Sequence, residues 1–156
     1  MPRNKDAGVK PTTEKFTINY QWFKKKFKEA EELYEEEYDK FYNFIEDPDL
    51  INLLNKQDIG IGNRFADLQA NKFICVYLAC GRNTADDLEK NLAEAVDHLM
   101  TSRLLRVIKN KYGIDANKIN IFKEEYETIF KIHFNEEPKK ANKFFNEIAG
   151  KKQEDE

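Results

Sequence analysis

From Tyr20 to Ile45, the residues Tyr20, Phe23, Phe27, Ala30, Tyr34, Tyr38, Phe41 and Ile45 follow one another at steps of three or four. An α-helix is the regular backbone that gathers such a set on one face. The same spacing returns in Phe65, Leu68, Phe73, Val76 and Tyr77. It returns again in Leu88, Leu92, Ala95, Val96, Leu99, Leu104, Val107 and Ile108, and in Ile119, Phe122, Tyr126, Ile129 and His133. No run of useful length alternates with the period of a strand. The expected fold is all-α: a single-domain bundle of five to six helices, three of them long.

Punctuation sets the expected boundaries. Residues 1–15 hold Pro2, Gly8 and Pro11 with almost nothing to bury, and are expected to be a flexible arm. The helical domain then spans 16–150, followed by a charged tail over 151–156. The first helix is expected to run unbroken for about 39 Å, at 1.5 Å per residue. It should stop at Glu46-Asp47-Pro48, where Asp47 can cap a short helix whose first position suits Pro48. Gly60 and Gly62 mark a loop over Lys56–Asn63. A third helix is expected from about Arg64 to Cys80, closed by Gly81. A fourth should start from Asn83 or Thr84 and extend to about Tyr112. Asp115 or Asn117 opens a fifth, which reaches about Phe134. Pro138 starts the last, which Gly150 is expected to end.

Composition narrows the functions. The 156 residues are 40% hydrophobic and 35% charged, with 12 Phe, 7 Tyr, a single Trp22 and a net charge of −3. A domain that binds nucleic acid mainly through phosphates is usually basic, so the overall balance weighs against that role. Cys75 and Cys80 stand five apart in a helical pattern, roughly 140° apart around the axis. Their Cα atoms would lie about 7–8 Å apart along it, beyond ordinary disulfide reach, and buried reduced thiols are expected. The opening MPRNKDAGVKPTTEK lacks the apolar core of a signal peptide, and no apolar run approaches membrane-spanning length. The expected location is cytoplasmic, or within a virion if the protein is phage-encoded.

The charges of the first helix are sorted into blocks. Lys24, Lys25, Lys26 and Lys28 come first, then Glu29, Glu31, Glu32, Glu35, Glu36, Glu37 and Asp39. This order opposes the helix macrodipole, which favours acids in the first turn and bases in the last. It is better suited to a partner, and Trp22, Lys24, Lys25, Lys26, Lys28, Glu32, Glu35 and Glu36 are the expected partner-binding residues. Two copies laid antiparallel would set each basic end against the other's acidic stretch, which favours orientation and partner choice more than affinity. The chain's own fourth helix, acidic early and basic late, would match only if it ran parallel.

No catalytic, cofactor or metal set is expected. His98 has Ala95 three residues before it and His133 has Phe130, so the Glu-x-x-His pairs of a di-iron bundle are missing. Glu94 and His98, four apart, make a poor site alone. The cluster Glu31, Glu32, Glu35, Glu36 and Asp39 resembles all-α nucleotide pyrophosphohydrolases, in which helical carboxylates hold Mg²⁺ around a phosphate chain. That resemblance implies a second acidic pair, for which Asp86, Asp87 and Glu89 are the available residues. Gly60-Ile61-Gly62 matches neither the dinucleotide fingerprint nor the P-loop. Neither cysteine is directly flanked by a basic residue, and both lie in an apolar helical pattern.

The stretch from Phe73 through Gly81 to Thr84 gives helix, glycine turn and helix. Over those residues alone it resembles the helix-turn-helix of phage small-terminase subunits. The following Asp86, Asp87 and Glu89 would face DNA phosphates, so a capped helical hairpin fits better. The leading expectation is a non-enzymatic interaction or assembly protein, homo-oligomeric or bound to another protein, of the phage or bacterial accessory kind. The alternative is a nucleic-acid-binding accessory protein using Lys24–Lys28 with Arg103, Arg106, Lys109 and Lys111. A Mg²⁺-dependent pyrophosphohydrolase ranks third.

Overall fold

The computed structural model describes residues 20–35, 37–79, 88–110 and 115–154. The arm over residues 1–15, Glu36, Cys80, Gly81, the caps at Asn83 and Thr84, Asp86, Asp87, Lys111 and Gly113 lie outside them. All regular structure among the described residues is helical, and the chain forms an all-α single-domain bundle. Helix α1 covers residues 20–34. It is followed by α2 (Tyr38–Ile45), α3 (Pro48–Asn55), α4 (Ala70–Ala79), α5 (Leu88–Arg103), α6 (Ala116–Phe134) and α7 (Lys139–Glu154). No helix among the described residues is long and apolar enough to cross a membrane.

The first segment is not the unbroken helix expected from Tyr20 to Ile45. Within its acidic block, Glu37 N–H reaches only three residues back to Tyr34 O at 3.0 Å, and Lys40 N–H likewise reaches Glu37 O at 3.1 Å. The ladder tightens there, where successive carboxylates repel one another at helical spacing. Lys40 then offsets the acids, with its Nζ 3.0 Å from Glu37 and 2.8 Å from Glu89 at the start of α5. Asn91 Nδ2 also donates to Tyr34 Oη at 3.3 Å. As the first segment advances from 34 to 40, its α5 partner recedes from 91 to 89. The parallel match of charge blocks is therefore not used here, and Lys40 bridges acid to acid.

Helix α3 begins as its sequence requires. Asp47 accepts from Asp49 N–H at 2.9 Å, with Pro48 in the first turn. The other oxygen of Asp47 accepts from His133 Nε2 at 2.7 Å, which ties the start of α3 to the end of α6. His133 and the Asp49 N–H together hold the Asp47 carboxyl below its ordinary 3.8. Asp47→Ala should therefore cost about 2 kcal/mol in a denaturant titration. The stability contributed by Asp47 is complete above pH 3.8 and is lost as pH falls through its lowered folded value. The gap between wild type and variant should close in that acid range, and a gap independent of pH would contradict the assignment.

Helix α4 is preceded by a π-helical turn over Phe65–Gln69, in which Ala70 N–H reaches Phe65 O five residues back. The extra residue keeps Phe65 on the buried face shared by Ala70, Ile74 and Leu78. Helix α5 is the centre of the bundle. Asn91, Leu92, Ala93, Ala95, Val96, Asp97, Leu99, Met100 and Thr101 are all buried, so neighbours cover it on nearly every side.

The fourth helix does not reach Tyr112. It ends at Arg103 and passes into a 3₁₀ helix over Leu105–Asn110. Leu105 and Ile108, three apart, are buried there, while Val107, expected in the stripe, is 45% exposed. Three residues per turn rather than 3.6 account for the change of face.

Helix α6 starts where Asp115 accepts from Lys118 N–H at 2.8 Å. It ends at Asn135, whose left-handed backbone (φ 54°) returns its N–H to Lys131 O. Helix α7 does not stop at Gly150 but continues to Glu154, so part of the expected tail over 151–156 is helical. Pro138 cannot offer a side-chain cap to α7. Instead Asp97, buried on α5, accepts from Lys140 N–H at 2.7 Å and Ala141 N–H at 3.1 Å.

Candidate functional site

The charged blocks of α1 lie on a surface that the body only partly covers. None of residues 20–29 is buried, although they include Tyr20, Trp22, Phe23 and Phe27. Trp22 is 54% exposed, and Phe23 and Phe27 are half-buried with ring centroids 6.4 Å apart. Ala30 and Tyr34, one and two turns further on, are fully buried. The helix is thus anchored by its second half, and the aromatic and lysine-rich half extends the seam where the core no longer receives it.

Beside the anchored part, an open groove of about 540 Å³ lies between α4 on one side and α1, the turn after it and the start of α2 on the other. Phe27, Lys28, Glu31, Glu32, Glu35 and Tyr38 form one wall, and Asn71, Lys72 and Cys75 form the other. Helical spacing explains the first wall, because Phe27, Lys28, Glu31, Glu32 and Glu35 fall at three- and four-residue steps. Tyr38 Oη and Cys75 Sγ are hydrogen-bonded and close the floor. Burial pushes the Cys75 thiol up, and the bond to Tyr38 only partly offsets this, so Cys75 stays a neutral packing group. Burial likewise holds the Tyr38 phenol well above its ordinary 10.0. Asn71 Oδ1 is buried and has no hydrogen-bond partner among the described residues.

Of the expected partner-binding residues, the structure brings Lys28, Glu32 and Glu35 to this groove. Trp22 and Lys26 lie on another side of α1, with Lys26 3.3 Å from Glu29. Lys24 and Lys25 are exposed, and Glu36 lies outside the described residues. Of the second set of cations, neither Arg103 nor Arg106 lines this groove. Arg103 closes α5 with its guanidinium 5.9 Å from the Phe73 ring centroid, and Arg106 is exposed on the 3₁₀ helix. The backbone of Lys109 belongs to that same turn, and Lys111 is outside the described residues.

Among the described residues, the wall facing Glu31, Glu32 and Glu35 is Asn71, Lys72 and Cys75. Asp86 and Asp87, the acids available for the second pair that the pyrophosphohydrolase resemblance implies, lie outside the described residues. Glu89 is instead bound to Lys40. Among the described residues, no three His, Cys, Asp or Glu side chains come together as a metal site. His98 lies between rings, 5.4 Å from both Phe73 and Tyr77, and burial lowers its pKa and keeps it neutral.

Two functional features escaped sequence reasoning. The α4 wall is one, because periodicity shows which residues turn inward but not which helix they meet. The role of Asp97 is the other. It reads as one more acid of an acidic helix, and the only available sign was Pro138, which leaves the next helix without a side-chain cap of its own.

Fold and groove together define an all-α bundle with an exposed, charge-sorted helix along one edge, an architecture that does not by itself specify an activity. Comparison with protein-family models, curated proteins and solved structures finds no match to this chain.

Proposed function

We propose that this protein is a non-enzymatic helical interaction protein, an assembly or accessory factor, whose first helix docks another protein chain. The carrying observation is the unburied half of α1. Four aromatic side chains in eight residues, Tyr20, Trp22, Phe23 and Phe27, stand beside the body without entering its core. Large aromatic side chains gain most from burial, and Trp and Tyr are favoured where a surface is dry on one side and wet on the other. The unfavourable order of charges along α1 supports the same reading. A helix that puts lysines first forgoes stabilisation from its own dipole and presents two oppositely charged surfaces instead.

The single tryptophan makes the test direct. Protein labelled with 5-fluorotryptophan carries one fluorine resonance, at Trp22. Engagement of α1 should shift or broaden that resonance, either as protein concentration rises in buffer or in a cell extract. Nuclease treatment should leave the change intact. A line restored by nuclease would make nucleic acid the partner, and a line unchanged in every condition would rule out the docking role of α1.

A further inference from the structure

We infer that the partner of α1 is a second copy of the same helix, laid antiparallel about a two-fold axis between residues 29 and 30. This rests on the docking role proposed above and names the chain that fills it. Lys24, Lys28 and Glu31 on α1 and Glu35, the residue directly after its last turn, are spaced four, three and four apart, which on helical geometry confines them to an arc of roughly 60°. All four are exposed. None appears among the ion pairs of the described residues, in which Lys26 is paired with Glu29 and Lys40 with Glu37 and Glu89. The sequence order of lysine before glutamate is the weaker one for pairing within a helix, which leaves these groups for contacts outside it.

In an antiparallel pair, residues whose numbers share one sum face each other. Lys24 with Glu35 and Lys28 with Glu31 share the same sum. A single register therefore satisfies the whole stripe, and the two-fold axis repeats each pair. A parallel pair would set Lys24 against Lys24 and Glu31 against Glu31. The groove beside the stripe supports the same partner. Among the described residues, three carboxylates, Glu31, Glu32 and Glu35, line it against two ammonium groups, Lys28 and Lys72. Lys24 of the second copy brings the missing positive charge to Glu35, and the half-buried ring of Phe27 lies along the same edge. Exposed ion pairs contribute little each, so they select orientation and register, and the association is weak and salt-sensitive.

The test is a charge swap read by sedimentation equilibrium. One variant carries Lys24→Glu with Lys28→Glu, and the other Glu31→Lys with Glu35→Lys. These positions are exposed, and the circular dichroism of each variant should match wild type. Wild type should dimerise at low ionic strength and dissociate in high salt. Each variant alone should be monomeric, since its stripe repels its own copy. An equimolar mixture should restore a heterodimer at least roughly tenfold tighter than either variant's self-association. A wild type that stays monomeric at low salt overturns the inference, while the fluorine experiment in extract still decides the docking role separately. A wild-type dimer that survives both swaps, or a mixture that fails to re-form, overturns this register and leaves association through another face of α1.

Discussion

Phe44→Ala is expected to lower the stability of the folded protein by about 3–5 kcal/mol, the range for removing a large buried aromatic ring. Phe44 is fully buried on α2 and is the ring around which the end of α6 is assembled. Its centroid lies 6.1 Å from Tyr126, 5.5 Å from Phe130, 5.6 Å from His133 and 5.2 Å from Phe134, each in an edge-to-face arrangement. Such pairs add to simple burial, because the positive ring edge meets the negative face. The methyl of alanine would leave a cavity that four rigid rings cannot close.

Domains of this size are stable by about 5–15 kcal/mol, so the variant should unfold at a much lower urea concentration. Ile132→Ala is the control. Ile132 is 71% exposed on the same helix as Phe130 and should move the midpoint little. A loss below about 1 kcal/mol for Phe44→Ala would show that α2 is not packed on α6 as described.

Asp97→Ala should cost about 2–4 kcal/mol at neutral pH. The Asp97 carboxylate, on α5, accepts from the Lys140 and Ala141 N–H groups and from Thr101 Oγ1 at 3.4 Å. It thereby supplies the cap that Pro138 cannot supply to α7. Without it the Ala141 N–H is left buried with no acceptor, and α7 loses its attachment to the central helix. Relief from burying a charge offsets part of the loss.

That offset gives the effect a sign with pH. Burial raises the Asp97 carboxyl above its ordinary 3.8, and the hydrogen bonds from Lys140, Ala141 and Thr101 only partly pull it back. A folded pKa above the unfolded one means that ionisation opposes folding at neutral pH. The opposition fades as pH falls through the raised value and is gone below 3.8. The gap between wild type and Asp97→Ala should therefore be smallest at neutral pH, widen as acid is added, and stop widening near 3.8. Tyr126 faces the same charge. Burial first, and the Asp97 charge second, hold its phenol well above 10.0. Amide exchange gives a local check, because the Lys140 and Ala141 protons should lose protection in the variant before those of the α6 interior. A gap that narrows on acidification would show the capping hydrogen bonds outweighing burial at Asp97. Unchanged protection at Lys140 and Ala141 in the variant would refute its role as the cap.

The sequence carried much of this fold because several of its signals are local. The caps at Asp47 and Asp115 were legible, since a short carboxylate before a helix finds its N–H partners two or three residues away. The stripe Ile119, Phe122, Tyr126 and Ile129 is buried as its spacing requires. The misjudged boundaries have one cause. Periodicity continues through a change of helix type, so the tightened turn at Glu37, the π turn before Ala70 and the 3₁₀ turn after Arg103 left the apolar spacing nearly intact. Gly150 failed as a stop because a glycine ends a helix only when the backbone turns left-handed there, and α7 continues to Glu154.

The candidate site divides along the same line. The sequence by itself determined the charge order of α1, its aromatic content and the self-complementary spacing of Lys24, Lys28, Glu31 and Glu35, because all of these are set by residue spacing along a single helix. Only the tertiary structure decided that residues 20–29 stay unburied, that Asn71, Lys72 and Cys75 complete the groove, and that Asp97 caps α7 while His133 holds Asp47. Those features depend on which helix packs against which. That choice belongs to the complementarity of whole surfaces far apart in the chain, and no local pattern of residues encodes it.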